Sequence, residues 1–114
     1  MNKIWASIFC LTFLLGIISC SDETDPNIRV RNERADKANV QIKTTGGNTI
    51  NINDVTAGQT TAYQSFAEGN VTVTAVIQNE SVSPTASFFA AKDISYTIVI
   101  LVGDTPTLRV DQGN

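Results

Sequence analysis

An all-β fold is predicted, a small antiparallel β-sandwich of about eight strands following a cleaved signal peptide. Three observations carry this. Short runs rich in Val, Ile, Thr and Phe alternate apolar and polar residues from Asn27 onward. They recur about every ten residues, as in sandwiches and barrels. No stretch of the same region shows the 3.6-residue period of an amphipathic helix.

Taken in order, Asn27 to Asn32 puts Ile28 and Val30 on one face and Arg29 and Arg31 on the other. Asn39 to Thr44 turns Val40 and Ile42 inward and Gln41 and Lys43 outward. Asn48 to Asn53 turns Ile50 and Ile52 inward. Gln59 to Phe66 is a weaker strand centred on Tyr63, and Val71 to Gln78 alternates Val71, Val73, Ala75 and Ile77 against threonines. Thr85 to Ala91 carries Phe88 and Phe89 on opposite faces. Ile94 to Val102 is the most apolar run, with Ile94, Tyr96, Ile98, Ile100 and Val102 on a common face, and Thr107 to Asp111 closes the chain. Such an apolar run exposed at an edge would template aggregation, so it belongs in the middle of a sheet.

One register follows from the pleat. A two-residue loop at Gly46-Gly47 would set Ile42 opposite Asn51. A three-residue loop, Thr45-Gly46-Gly47, sets Ile42 opposite Ile50 and Val40 opposite Ile52, keeping all four on one face. That loop needs a left-handed residue at its end, which Gly47 supplies. Asp54 to Gly58 and Glu68-Gly69-Asn70 read as further turns, and Pro84 and Pro106 mark strand boundaries.

The first residues read as an address. Lys3 is followed by Ile4 to Ile18, 15 residues without a charge. As a helix this run would be about 22 Å long, short of a bilayer core of about 30 Å. It fits a signal peptide. It ends Ile17-Ile18-Ser19-Cys20, which resembles the lipobox of bacterial lipoproteins. The resemblance implies that the chain is cut before Cys20 and that Cys20 carries lipid on its sulfur and its amino group. Residues 1–19 are then signal peptide, residues 20–26 the lipidated cysteine and a flexible acidic tether, and residues 27–114 the β-sandwich. Ser21-Asp22-Glu23-Thr24-Asp25 after the cysteine is similar to the acidic export tag of lipoproteins displayed on the outer membrane surface.

Val55 to Tyr63, Ala67 to Val73 and Ala90 to Val99 each run from a Gly or small-residue turn into an alternating strand. Their order is similar to a family of uncharacterised secreted bacterial β-sandwich domains, prealbumin-like or immunoglobulin-like and common in lipoproteins. The resemblance implies a fold and transfers no activity.

The composition narrows the chemistry. The 114 residues include no histidine, and a net charge of −3 offers no clustered basic surface for nucleic acid. Without His the serines lack their usual base, and no motif pairs one with Lys37, Lys43 or Lys92. Zinc has neither His nor Cys pairs to hold it. Asp54, Asp93 and Asp104 could meet at one end of a sandwich only by topology. No enzyme, cofactor or metal is expected. Charge is polarised: from Asn27 to Lys43, Arg29, Arg31, Arg34, Lys37 and Lys43 face two acids, a net of +3, whereas Thr44 to Asn114 nets −4. The five cations outline a face for a phosphate, an anionic glycan or an envelope protein. They equally fit two edge strands guarded by charge. The sequence therefore predicts a lipid-anchored, non-enzymatic binding or structural module at the outer membrane. The alternative is a periplasm-facing accessory lipoprotein that meets a larger complex through an edge strand.

Overall fold

The structure is a computed structural model that describes residues 24–113; the predicted signal peptide and Cys20 lie outside the described residues. Eight strands form: β1 (Asn27–Asn32), β2 (Ala38–Thr44), β3 (Thr49–Val55), β4 (Gln64–Ser65), β5 (Gly69–Ile77), β6 (Thr85–Ala90), β7 (Ser95–Leu101) and β8 (Thr107–Gly113). They pack as two four-stranded sheets, ordered β4-β1-β7-β8 and β3-β2-β5-β6. All pairings are antiparallel except β1 with β7, which is parallel. A parallel pair needs a long crossover, and here the chain from β2 to β6, which includes the whole second sheet, forms it.

The alternating residues meet between the sheets. Ile28, Val30, Ile42, Val55, Val73, Ala75, Ile98 and Ile100 are completely buried there. β7 is an inner strand, as its apolarity requires, and Val99 on its opposite face is buried too. Val102 differs from expectation: it lies beyond the end of β7 and is 64% exposed. Lys43 lies on β2, which is paired along both sides, so edge guarding does not explain that cation. β1 pairs with β4 only at Asn27 and Ile28, so Arg29 and Arg31 sit where, among the described residues, no strand adjoins that side of β1. Asp93 precedes β7 and Asp104 follows it, so the two lie at opposite ends of the sandwich and Asp54, Asp93 and Asp104 do not meet at one end.

The β2–β3 hairpin has the register Ile42↔Ile50 and Val40↔Ile52, and Gly47 turns it at φ 87°. β3 then continues past Asn53, where the sequence reading stopped it. The register shifts between Ala38 and Val40, so Asn53 and Asp54 together face Asn39. This bulge places Ile52 and Val55, three residues apart, on the same buried face. Asp54 takes φ 58°, and its N–H donates to Asn39 Oδ1 at 2.8 Å.

The Gln59–Phe66 strand forms only in part. The chain crosses the free edge of β1, bridging Arg31 at Thr60, and regains strand geometry at Gln64–Ser65. Thr61 substitutes a hydroxyl for a ladder group: Val30 N–H donates to Thr61 Oγ1 (3.0 Å) while Thr61 N–H donates to Val30 O (2.8 Å).

Each end of the sandwich carries a polar tie. At one end Tyr96, 1% exposed, accepts from Ala91 N–H through its hydroxyl at 2.8 Å, and its ring lies 4.9 Å from that of Phe88. At the other end Asn32 is fully buried. Its Nδ2 donates to Asp36 O (2.8 Å) and Val55 O (3.0 Å), and its Oδ1 accepts from Arg34 N–H (2.9 Å). Its backbone pairs with Gln59 O and Gly58 N–H.

Ile98→Asp is expected to abolish folding, because an uncompensated charge would sit in the dry centre between the sheets; circular dichroism should show no cooperative melt. Asn32→Ala orphans two carbonyls and an N–H at about 1–3 kcal/mol for each group that stays dry. Urea denaturation should show a loss of about 3 kcal/mol or more, with the m-value unchanged.

Candidate functional site

The outward face of β1, β7 and β8 holds the densest group of cations among the described residues. Strand alternation puts Arg29 and Arg31 on this face of β1, Thr97 and Val99 on β7, and Arg109 and Asp111 on β8. The register sets them in two rows, Arg29–Thr97–Asp111 and Arg31–Val99–Arg109. Within β1 the two arginines are about 7 Å apart along the strand, and Arg31 and Arg109 about 10 Å apart across β7, by ordinary sheet spacing. Val99 is only 1% exposed although it faces outward, because the stems of Arg31 and Arg109 flank it.

The crossing segment Thr60–Tyr63 walls one side. The result is a groove of about 300 Å³ over the sheet, lined by these arginines with Tyr63, Thr97 and Gln112. Its three guanidiniums are held differently. Arg31 Nε pairs with Glu33 at 3.2 Å, with more than half of the arginine side chain exposed. Arg109 grips Asp111 through two hydrogen bonds of 2.8 and 3.0 Å. The hydrogen bond and charge of Asp111 raise the Arg109 pKa above its ordinary value, and the hydrogen bond from Arg109 holds the Asp111 carboxyl below its own. Since the folded-state pKa of Asp111 is depressed, whatever stability the pair adds is present above the ordinary carboxylate pKa. It is lost as pH falls through the lower folded value. Arg29 Nε donates to Thr97 Oγ1 at 2.9 Å, and its guanidinium carbon sits 4.5 Å from the centre of the Tyr63 ring.

The structure divides the five cations singled out in the sequence. Arg29 and Arg31 share the groove. Lys43 lies on the outer face of the other sheet, among Gln41, Thr49 and Thr72. Lys37 pairs with Asp54 at 3.5 Å. Arg34 is a brace: its side chain is 11% exposed, it meets Glu80 at 2.7 Å, and it donates to Leu101 O and Gly103 O. Arg109 was missed as a site residue, and Tyr63 reads from sequence as a strand residue with a packing role. Charge was grouped by nearness along the chain, and Arg109 reaches the groove only through the β7–β8 pairing.

Thr24, Asp25 and Pro26, read from sequence as the end of a flexible tether, are held against the domain. Thr24 N–H and Oγ1 donate to Asp93 Oδ1, Asp93 N–H donates to Thr24 O, and Lys92 meets Asp25 at 3.3 Å. Asp93 takes φ 66° there.

No protein-family model matches the chain, and no curated protein matches it. A solved structure does: the NMR structure of a protein from Eubacterium rectale, 19% identical, with a TM-score of 0.60, covering 87% of this chain and 98% of that one. The likeness is one of fold.

Arg34 and Arg31 should separate as brace and groove residue. Arg34→Ala is expected to cost about 1.5–3 kcal/mol, the range for hydrogen bonds to a charged group. Arg31→Ala should cost less than about 1 kcal/mol, as for an exposed pair. Urea midpoints of the two variants measure the difference.

Proposed function

We propose that the chain is a lipid-anchored envelope lipoprotein whose β-sandwich is a non-enzymatic binding or structural module, displayed at the outer membrane. The observation that carries this is Cys20: it ends an apolar, signal-like segment, and an ordered domain begins by Thr24. Lipid on a cysteine so placed would hold the domain at the membrane, since several acyl chains anchor durably. Binding rather than chemistry is supported by the lack of histidine and by the groove, which gathers hydrogen-bond donors and an aromatic ring. The acidic residues after Cys20 favour the outer surface.

A second reading rests on β3. It is an edge strand with one side unpaired among the described residues, and Asp54 is its only charge. A periplasmic partner could add a strand there, which would make the chain an accessory subunit on the inner side of the outer membrane.

Labelling with a fatty-acid analogue, with protease treatment of intact cells, tests both. Wild type should be labelled, membrane-bound and cut in intact cells, and Cys20→Ala should be unlabelled and released. Labelled protein protected until lysis would select the periplasmic reading. An unlabelled wild type would remove the anchor altogether.

A further inference from the structure

Arg29 differs from the other two cations of the groove. Arg31 and Arg109 each have a carboxylate partner; Arg29 has none among the described residues. It is nevertheless fixed, by the Thr97 hydroxyl at its Nε and by the Tyr63 ring, whose centre lies 4.5 Å from its guanidinium carbon. Its two terminal nitrogens make no hydrogen bond to protein among the described residues. A guanidinium held in place with its terminal fork unused is preorganised for a planar or tetrahedral oxyanion, which it can take through two parallel bonds. Holding it costs the complex little further side-chain entropy.

The surroundings narrow the ligand. Three arginines against Glu33 and Asp111 leave the groove one charge positive. Tyr63 remains 43% exposed with Arg29 over its ring. Thr60, Thr97 and Gln112 add neutral hydrogen-bonding groups. A bare anion would use the arginines alone. A sugar that carries an acidic group uses all three features: its ring against Tyr63, its hydroxyls on Thr60 and Gln112, its oxyanion on Arg29. The groove is open rather than enclosed, which suits an internal unit of a longer chain.

We propose that this groove binds an acidic saccharide, with Arg29 as the main oxyanion contact and Tyr63 as the stacking platform. The inference rests on the binding role proposed above and not on the lipid anchor.

The test is calorimetric titration of the full-length protein in detergent with three probes: an oligosaccharide of hexuronic acid, a neutral oligosaccharide of the same length, and inorganic phosphate. The uronate should bind, more weakly as salt rises, and the other two should bind at least tenfold more weakly, a difference of about 1.4 kcal/mol. Arg29→Gln and Tyr63→Ala should each weaken the uronate about tenfold or more while keeping the wild-type melting profile. Arg29→Lys, which keeps the charge and loses the fork, should recover only part. Lys43→Gln, on the other sheet, should change nothing. Cys20→Ala should bind like wild type, so failure of the anchor and failure of the groove are read separately. No uronate binding, equal binding of the neutral sugar, equal binding of phosphate, or an Arg29→Gln variant that binds like wild type would each overturn the proposal.

Discussion

Asn32 is the polar centre on which the far end of the sandwich depends. It follows Ile28 and Val30 on the inward face of β1, where an apolar residue would ordinarily sit. Its side chain satisfies the carbonyls of Asp36 and Val55 and the N–H of Arg34. Val55 belongs to the opposite sheet, so one amide joins both layers. An amide can serve here because it has two donors and an acceptor in a fixed plane. A carboxylate would lack the donors and carry a buried charge.

The groove inherits its shape from that tie. The Asn32 backbone pairs with Gly58 and Gln59, which fixes where the chain begins its crossing of the β1 edge. Thr60 and Thr61 continue the crossing in contact with Arg31 and Val30, and Tyr63 then lands against Arg29. Had Gln59–Phe66 formed a regular strand, it would have lain flat in the sheet. The irregular path also covers part of an edge that would otherwise stay open to pairing. One departure from regularity thus protects the fold and builds a wall of the groove.

Much of the fold was legible because period-2 alternation determines which residues share a face. The inward sets of β1, β2, β5 and β7 follow from it, and so does the Val40–Ile52 register, since a one-residue slip would expose both. The same alternation puts Asn32 on the buried face, a signal that went unused. The bulge at Asn53–Asp54 was illegible: it breaks the period, and only a tertiary demand for Val55 in the core reveals it. The parallel β1–β7 pair was illegible for a different reason. Nothing local says which distant strands become neighbours, yet that pairing, with β7–β8, brings Arg109 to the arginines of β1. The groove was therefore half visible, as two arginines on one strand, and its third cation came from topology.

The docking of Thr24–Pro26 bears on how such a groove would be presented. With Cys20 lipidated as proposed, the four residues from Cys20 to Thr24 reach at most about 14 Å even when extended. Thr24 is fastened to Asp93 beside the start of β1 and β7, so that end of the sandwich would stay near the bilayer. The end braced by Asn32 and by Arg34 with Glu80 would face away. β1 and β7 both run from the first end to the second, and the groove lies on their flank. It would then open sideways, along the membrane rather than toward it. A free small molecule gains nothing from that geometry. A polymer lying on the surface does, because a flanking groove can take one of its units without the chain having to end there. Such a presentation would favour a surface polysaccharide over a diffusing ligand, and it would give the docked Thr24–Pro26 segment a part in orienting the groove as well as in attachment.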